Sequence, residues 1–150
     1  MSMIQAPEGF RHHVPIQVRW GDMDALGHVN NAVYLTYLEQ ARIHYTRNTL
    51  KLWDGGITQV GVIMARVEID FKLPLIAVDD VHIFTRTIRL GRSSFTTEQW
   101  VMRGGDDGLE AASRALVTVV VYNYAAGKPT PIPDEWRNAI KAYEVVAPEE

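Results

Sequence analysis

Asp22, Asp24, His28, Asn30 and Asn31 fall in one short stretch, with Gly27 among them and a helix-like run starting at Asn31. A carboxylate, a glycine turn and a histidine that lead into an Asn pair put a potential base beside a helix N-terminus. Free backbone N–H groups there can hold a negative oxygen. A base next to an oxyanion site is the minimum equipment for acyl transfer or hydrolysis, and Asp24 has the chemistry either to direct a water molecule or to attack directly. The same residue types also cap helices and close turns, so the stretch reads equally as a strand-to-helix loop. Asp22 lies close enough to Asp24 in sequence for like charge and burial to raise a carboxylate pKa.

A second carboxylate, Glu39, sits between Leu35 and Ile43 at helical spacing and is expected in an apolar stripe, with Arg42 three residues on as its partner. His28 suits either polarising a substrate or tying the loop, and Asn30 and Asn31 suit a cap and a loop brace. Arg92, Ser93 and Ser94 follow Gly91. A guanidinium beside two hydroxyls fits a phosphate, and the same residues fit a solvated hairpin end. Arg86, Arg89, Arg103 and Arg114 are further phosphate candidates. His12, His13, His44 and His82 lack a metal-ligand spacing, and no nucleophile elbow, P-loop or dinucleotide fingerprint is present.

These residues need elements to position them. Val14, Ile16, Val18 and Trp20 alternate with polar residues and predict a first strand. A helix is expected from about Asn31 to Leu50, capped by Asn30 or Asn31. Tyr34, Tyr37, Leu38, Ala41 and Tyr45 form one apolar stripe on it. Ala32, Leu35, Ile43 and Leu50 form a second, so other elements should wrap the helix. Trp53-Asp54-Gly55-Gly56 marks a connection. The run from Gly61 to Leu73 alternates cleanly as a long strand, and Pro74 ends it or confines it to an edge. Val81 to Leu90, Ser94 to Met102 and Glu110 to Tyr124 predict three more strands, the last two joined by the turn at Gly104 to Gly108. The last is apolar on both faces, which suggests a central strand or an oligomer contact. Gly127 to Pro133 reads as a loop, and a short helix should run from Pro133-Asp134-Glu135 through Tyr143. One helix followed by consecutive strands argues α+β with a mostly antiparallel sheet, in a single domain over residues 1–150.

Composition narrows the function classes. There is no cysteine, which excludes disulfides, thiolate metal sites and a cysteine nucleophile, and fits a cytoplasmic location. The net charge of −3 is spread over interspersed charges, with no basic stripe for nucleic acid. No run is long enough to span a membrane, and Met1 to Phe10 lacks the pattern of a signal peptide.

The segment from Arg19-Trp20-Gly21-Asp22 through His28-Val29-Asn30-Asn31, followed by Tyr34-Leu35 and Glu39-Gln40-Ala41-Arg42, resembles the hotdog-fold acyl-CoA thioesterases of the 4-hydroxybenzoyl-CoA thioesterase type. It is also similar to the matching stretch of plant acyl-carrier-protein thioesterases. The likeness continues through Glu68-Ile69-Asp70-Phe71 and Gly91-Arg92-Ser93-Ser94-Phe95. It implies an antiparallel sheet wrapped around one long central helix. It also implies a homodimer or homotetramer that binds acyl-CoA at the subunit interface, and hydrolysis to a carboxylate and free CoA without a cofactor. By the same resemblance Asp24 is the base or nucleophile, the N–H near Asn31 polarises the thioester carbonyl, and His28 matches the histidine of the carrier-protein branch. That branch carries an Asn where this chain has Leu26. Other relatives place the working carboxylate on the helix, which makes Glu39 the rival to Asp24, and the segment with Arg92, Ser93 and Ser94 matches a CoA contact. An acyl-carrier-protein thioesterase and a non-catalytic acyl-CoA binding module are the alternatives.

Overall fold

Val14 and Ile16 turn inward from β1 (His12–Ile16) while His13 and Pro15 face out, the period-two burial of a sheet edge. The computed structural model describes residues 6–52 and 59–150. The long helix α1 (Asn31–Leu50) follows, then β2 (Val60–Phe71), β3 (Val81–Leu90), β4 (Ser94–Gly105), β5 (Gly108–Asn123), a two-residue β6 (Lys128–Pro129) and α2 (Asp134–Tyr143). The strands make one six-stranded sheet in the order β1-β3-β4-β5-β2, with β6 beside the end of β5 and every pairing antiparallel. Leu38, Ala41 and Tyr45 of α1 are fully buried, as are Ile83, Val117 and Val121 of the sheet. This is the hotdog arrangement of a sheet packed on one long helix. No helix among the described residues is long and apolar enough to cross a membrane.

The helix bounds, the last three long strands and the C-terminal helix agree with the sequence reading, with β4 and β5 running a few residues further into their shared turn. Pro74 lies beyond β2, and β2 is an edge strand, with a bulge between Met64 and Arg66. Four expectations change. The first strand stops at Ile16, because Asp22 accepts the backbone N–H of Arg19 at 3.0 Å and donates its own N–H to the Arg19 carbonyl at 3.0 Å. That closure folds Trp20–Asp22 into a 3-10 turn and leaves Trp20 79% exposed, although Val18 stays buried. The second stripe of α1 is not wrapped by the described residues: the sheet covers the other side, so Ala32, Leu35 and Ile43 are exposed and only Leu50 is buried. In β5, Ala115, Val117, Val119 and Val121 are buried, whereas Leu116, Val120 and Tyr122 are half-buried. Its position between β4 and β2 accounts for its apolar character, and no second layer of the described residues covers the outer face. The expected loop from Gly127 to Pro133 includes β6. The connection expected at Trp53-Asp54-Gly55-Gly56 lies outside the described residues.

Candidate active site

Asp22 fixes the entry to α1. Its carboxylate is 3% exposed and accepts the Tyr37 hydroxyl at 2.6 Å, the Arg19 N–H at 3.0 Å and the Arg19 guanidinium at 3.0 Å. Burial alone would push its pKa up, but these donors outweigh it and hold the carboxyl below its ordinary value. Of the two neighbouring carboxylates, Asp22 is therefore held down by its donors, against the rise expected of a buried carboxylate beside a like charge. Burial and the Asp22 charge push the Tyr37 hydroxyl up in turn, which keeps it a donor. The Asp22 carbonyl accepts Asn30 N–H at 3.0 Å, and Val29 N–H reaches the Leu75 carbonyl at 2.8 Å. The chain on both sides of the loop is thus pinned.

Between those pins the loop closes on itself. Asp24 N–H donates to the His28 carbonyl at 2.8 Å, Gly27 N–H donates to the Asp24 carbonyl at 3.0 Å, and Gly27 has φ +83°, where a side chain would be strained. Oδ1 of Asp24 accepts Leu26 N–H at 2.9 Å in an Asx turn. Oδ2 accepts no hydrogen bond from the described residues. At the start of α1, Asn30 is the cap: its Oδ1 accepts Ala32 N–H at 2.9 Å, and its carbonyl accepts Val33 N–H at 2.9 Å. The amide of Asn31 is the one left without an acceptor among the described residues. Asp24, His28, Asn30 and Asn31 line one open cavity of about 460 Å³, together with Tyr34, Phe71 and Leu73. Tyr34 stacks edge-on against Phe71 at 5.0 Å. A carboxylate oxygen and a helix-start amide that are both without a partner among the described residues therefore belong to residues lining one space, the pair of groups that thioester hydrolysis would call on.

The other sequence candidates lie elsewhere in the chain. Glu39 is exposed, about 12 Å along the helix axis from Asn31 at 1.5 Å per residue, and lines a separate cavity of about 260 Å³. It forms no ion pair with Arg42. Arg42 turns inward to Gln99 Oε1 at 3.1 Å, which corrects the expected pairing. Arg92 and Ser93 occupy the β3–β4 turn and Ser94 opens β4; the Ser93 and Arg92 carbonyls accept the Val121 and Ile132 N–H groups. Ser94 pairs with Val120 and Phe71 with Ser113, so this turn is about 23 Å along the strands from Phe71. One chain does not bring Arg92 to Asp24. Arg86 and Arg114 both pair with Glu98, and Arg103 binds Glu110 and the Pro74 carbonyl. Sequence reasoning missed Phe71 and Lys72, which line the Asp24 cavity; the only signal was that the long alternating strand ends there, before Pro74.

Residues 18–140 match the family model described as the thioesterase-like superfamily. A thioesterase of Thermus thermophilus, crystallised as a complex with coenzyme A and Zn, is 38% identical over 91% of this chain and 96% of that one, with a TM-score of 0.79. The PA2801 protein of Pseudomonas aeruginosa is 32% identical over 86% of this chain and 97% of that one, with a TM-score of 0.76. The YsmA protein of Bacillus subtilis strain 168 is 26% identical over 81 residues; the match spans about half of that relative, 54% of each chain.

Proposed function

This chain belongs to the thioesterase-like superfamily, and from that premise we propose that it hydrolyses acyl-CoA to a free carboxylic acid and CoA. The observation that carries the reading is the meeting, in one cavity, of the unbonded Asn31 amide and the unbonded Oδ2 of Asp24. The thioester carbonyl oxygen rests on Asn31 N–H. Asp24 Oδ2 takes a proton from water as the water oxygen bonds to the carbonyl carbon. The resulting oxyanion stays on the amide, whose fixed dipole needs no reorganisation. Collapse breaks the C–S bond, and the proton on Asp24 passes to the departing thiolate. His28, on the same rim, hydrogen-bonds the thioester's amide-bearing arm. Glu39 lies outside this centre. The motif from Asp24 to Asn31 favours the 4-hydroxybenzoyl-CoA thioesterase type.

The active unit in this reading is a homodimer, which can pair into a tetramer. Edge strand β2 leaves one side of its ladder open, and Ile63, Met64 and Phe71 are each more than 40% exposed along it. Antiparallel pairing of β2 with its copy, centred on the strand, sets the partner's Arg92 level with the Asp24 end of the first chain. The partner's Arg92 then joins Lys72 of the first chain as a cation for the CoA phosphates. Thiol release from short, long and aromatic acyl-CoAs, and from acyl-carrier protein, tests the proposal. Turnover of CoA thioesters is expected; turnover confined to the carrier protein, or binding of acyl-CoA without turnover, would replace it with one of the alternatives.

A further inference from the structure

The second cavity contains a feature that hydrolysis of a plain acyl chain does not use. Its walls are mainly apolar, with Ile43, Val62, Met64, Phe95 and Val119, and the hydroxyls of Tyr45, Thr46 and Thr97 are taken up by Thr87 and Glu144, by the Ile43 carbonyl and by the Val117 carbonyl. Into these walls projects Arg42, whose hydrogen-bond partners among the described residues are a neutral carbonyl, Gln99 Oε1 at 3.1 Å, and the Met64 thioether at 3.8 Å. Gln99 is fully buried, and its amide cannot turn over: Nε2 donates to the Leu38 carbonyl at 3.0 Å and to Thr85 Oγ1 at 3.1 Å, so Oε1 must face Arg42. The guanidinium is therefore held by a built, buried device, with most of its five donors directed at neither group. No carboxylate of the described residues lies within ion-pair distance of it. Glu39, one turn back, lines the same cavity but is solvated. Burial lowers the Arg42 pKa, and the Glu39 charge partly offsets this.

We propose that Arg42 is a specificity residue that clamps a carboxylate at the far end of the acyl group, so that the preferred substrates are thioesters of medium-chain dicarboxylic acids. The inference rests on the thioesterase reading above. A carboxylate matches the guanidinium fork in two parallel hydrogen bonds, and desolvation in an apolar pocket makes such a pair strong. The apolar walls fit methylenes and exclude the hydrated phosphates of CoA. Within one chain, Arg42 lies about 16 Å down the helix axis from the Asn31 amide, so a medium-length acyl chain would run from one cavity to the other along the face of α1 that carries the exposed Leu35. A site built to hydrogen-bond a group rejects analogues that lack it far more strongly than it rejects a change in length.

The test compares decanedioyl-CoA, with one free carboxyl, against decanoyl-CoA by thiol release, in the wild type, Arg42→Met and Arg42→Lys. The wild type should prefer the decanedioyl thioester by at least about tenfold in kcat/KM. Arg42→Met should abolish the preference by slowing that substrate alone; Arg42→Lys, which keeps the charge without the fork, should retain part of it and serves if the Met variant fails to fold. Equal rates in the wild type, or equal losses on both substrates, would overturn the proposal. So would losses on CoA thioesters that vanish with N-acetylcysteamine thioesters, which would assign Arg42 to phosphate, or dissociation of the oligomer in Arg42→Met with no wild-type preference, which would assign it to a partner carboxylate. Calorimetric titration of the full chain with free decanedioate and decanoate separates this idea from the one beneath it. Arg42-dependent diacid binding without hydrolysis of any thioester would sink the thioesterase reading and leave the clamp standing. Hydrolysis of decanoyl-CoA with no diacid preference would do the reverse.

Discussion

The Tyr37 hydroxyl donates to Asp22 Oδ2 at 2.6 Å between two buried side chains, and the carbonyl of the same Asp22 accepts Asn30 N–H, the residue that caps α1. The helix α1 and the loop bearing Asp24 are thus fastened through one residue, its carboxylate to Tyr37 and its backbone carbonyl to Asn30. Tyr37→Phe should destabilise the protein by about 2 kcal/mol at pH 7, because a buried charge loses a charge-assisted donor. The Asp22 pKa is lowered in the folded state, so its contribution is complete above the unfolded value of 3.8 and fades as pH falls below it. Urea unfolding at pH 7 and pH 3 checks both points: the variant should differ clearly at pH 7 and less at pH 3.

His12 should make stability pH-dependent. Burial, then the neighbouring His44 and His13, lower its pKa to about 4; its ring lies 2.8 Å from His44 and edge-on to Tyr45. The unfolded chain binds this proton near pH 6.5 and the folded chain does not, so stability is complete above 6.5 and declines toward pH 4. The loss from this one group is at most about 3 kcal/mol. Thermal melts between pH 7 and about pH 4.5 should show the decline, and His12→Gln should flatten it while lowering the melting temperature at pH 7. An unchanged slope in the variant would assign the effect to other groups.

The proposed sharing of the active site between subunits can be read by complementation. Asp24→Asn and Arg92→Ala homodimers should each be impaired, the second several-fold in KM for acyl-CoA, since an exposed contact to phosphate contributes about 1 kcal/mol. Subunits mixed through unfolding and refolding form a heterodimer in which one site has both wild-type residues. At substrate well below KM, activity should rise above the average of the parents. A mixture equal to the average of the parents would place Arg92 outside the site. The Arg92→Ala defect should also shrink with salt and be absent on an acyl-N-acetylcysteamine, which has no phosphates.

Much of this was legible in the residues because local signals and tertiary packing agree. The 3.6-residue stripe from Tyr34 to Tyr45 is the buried face of α1, and the Asn30 cap sets its start. The Gly104 to Gly108 turn joins β4 and β5 as its composition requires. What stayed hidden depends on contacts distant in sequence. Nothing near Arg42 marks Gln99, 57 residues away, as a stronger attraction than Glu39 one turn back. Alternation carried the first strand to Trp20, because periodicity cannot register that Asp22 bends the chain out of the sheet. The second stripe of α1 is apolar, yet only Leu50 of it is buried, and sequence pattern cannot separate a face covered by the same chain from one left exposed by it.

The assignment of Asp24 over Glu39 is tested most directly by the turnover number for acyl-CoA in Asp24→Asn and Glu39→Gln, read by thiol release on folded protein. Asp24→Asn should lower kcat by at least about a hundredfold with little change in substrate binding, and Glu39→Gln should stay within a few-fold of wild type. Near-normal turnover in Asp24→Asn together with a collapse in Glu39→Gln would contradict the assignment and move the chemistry to the cavity along the helix.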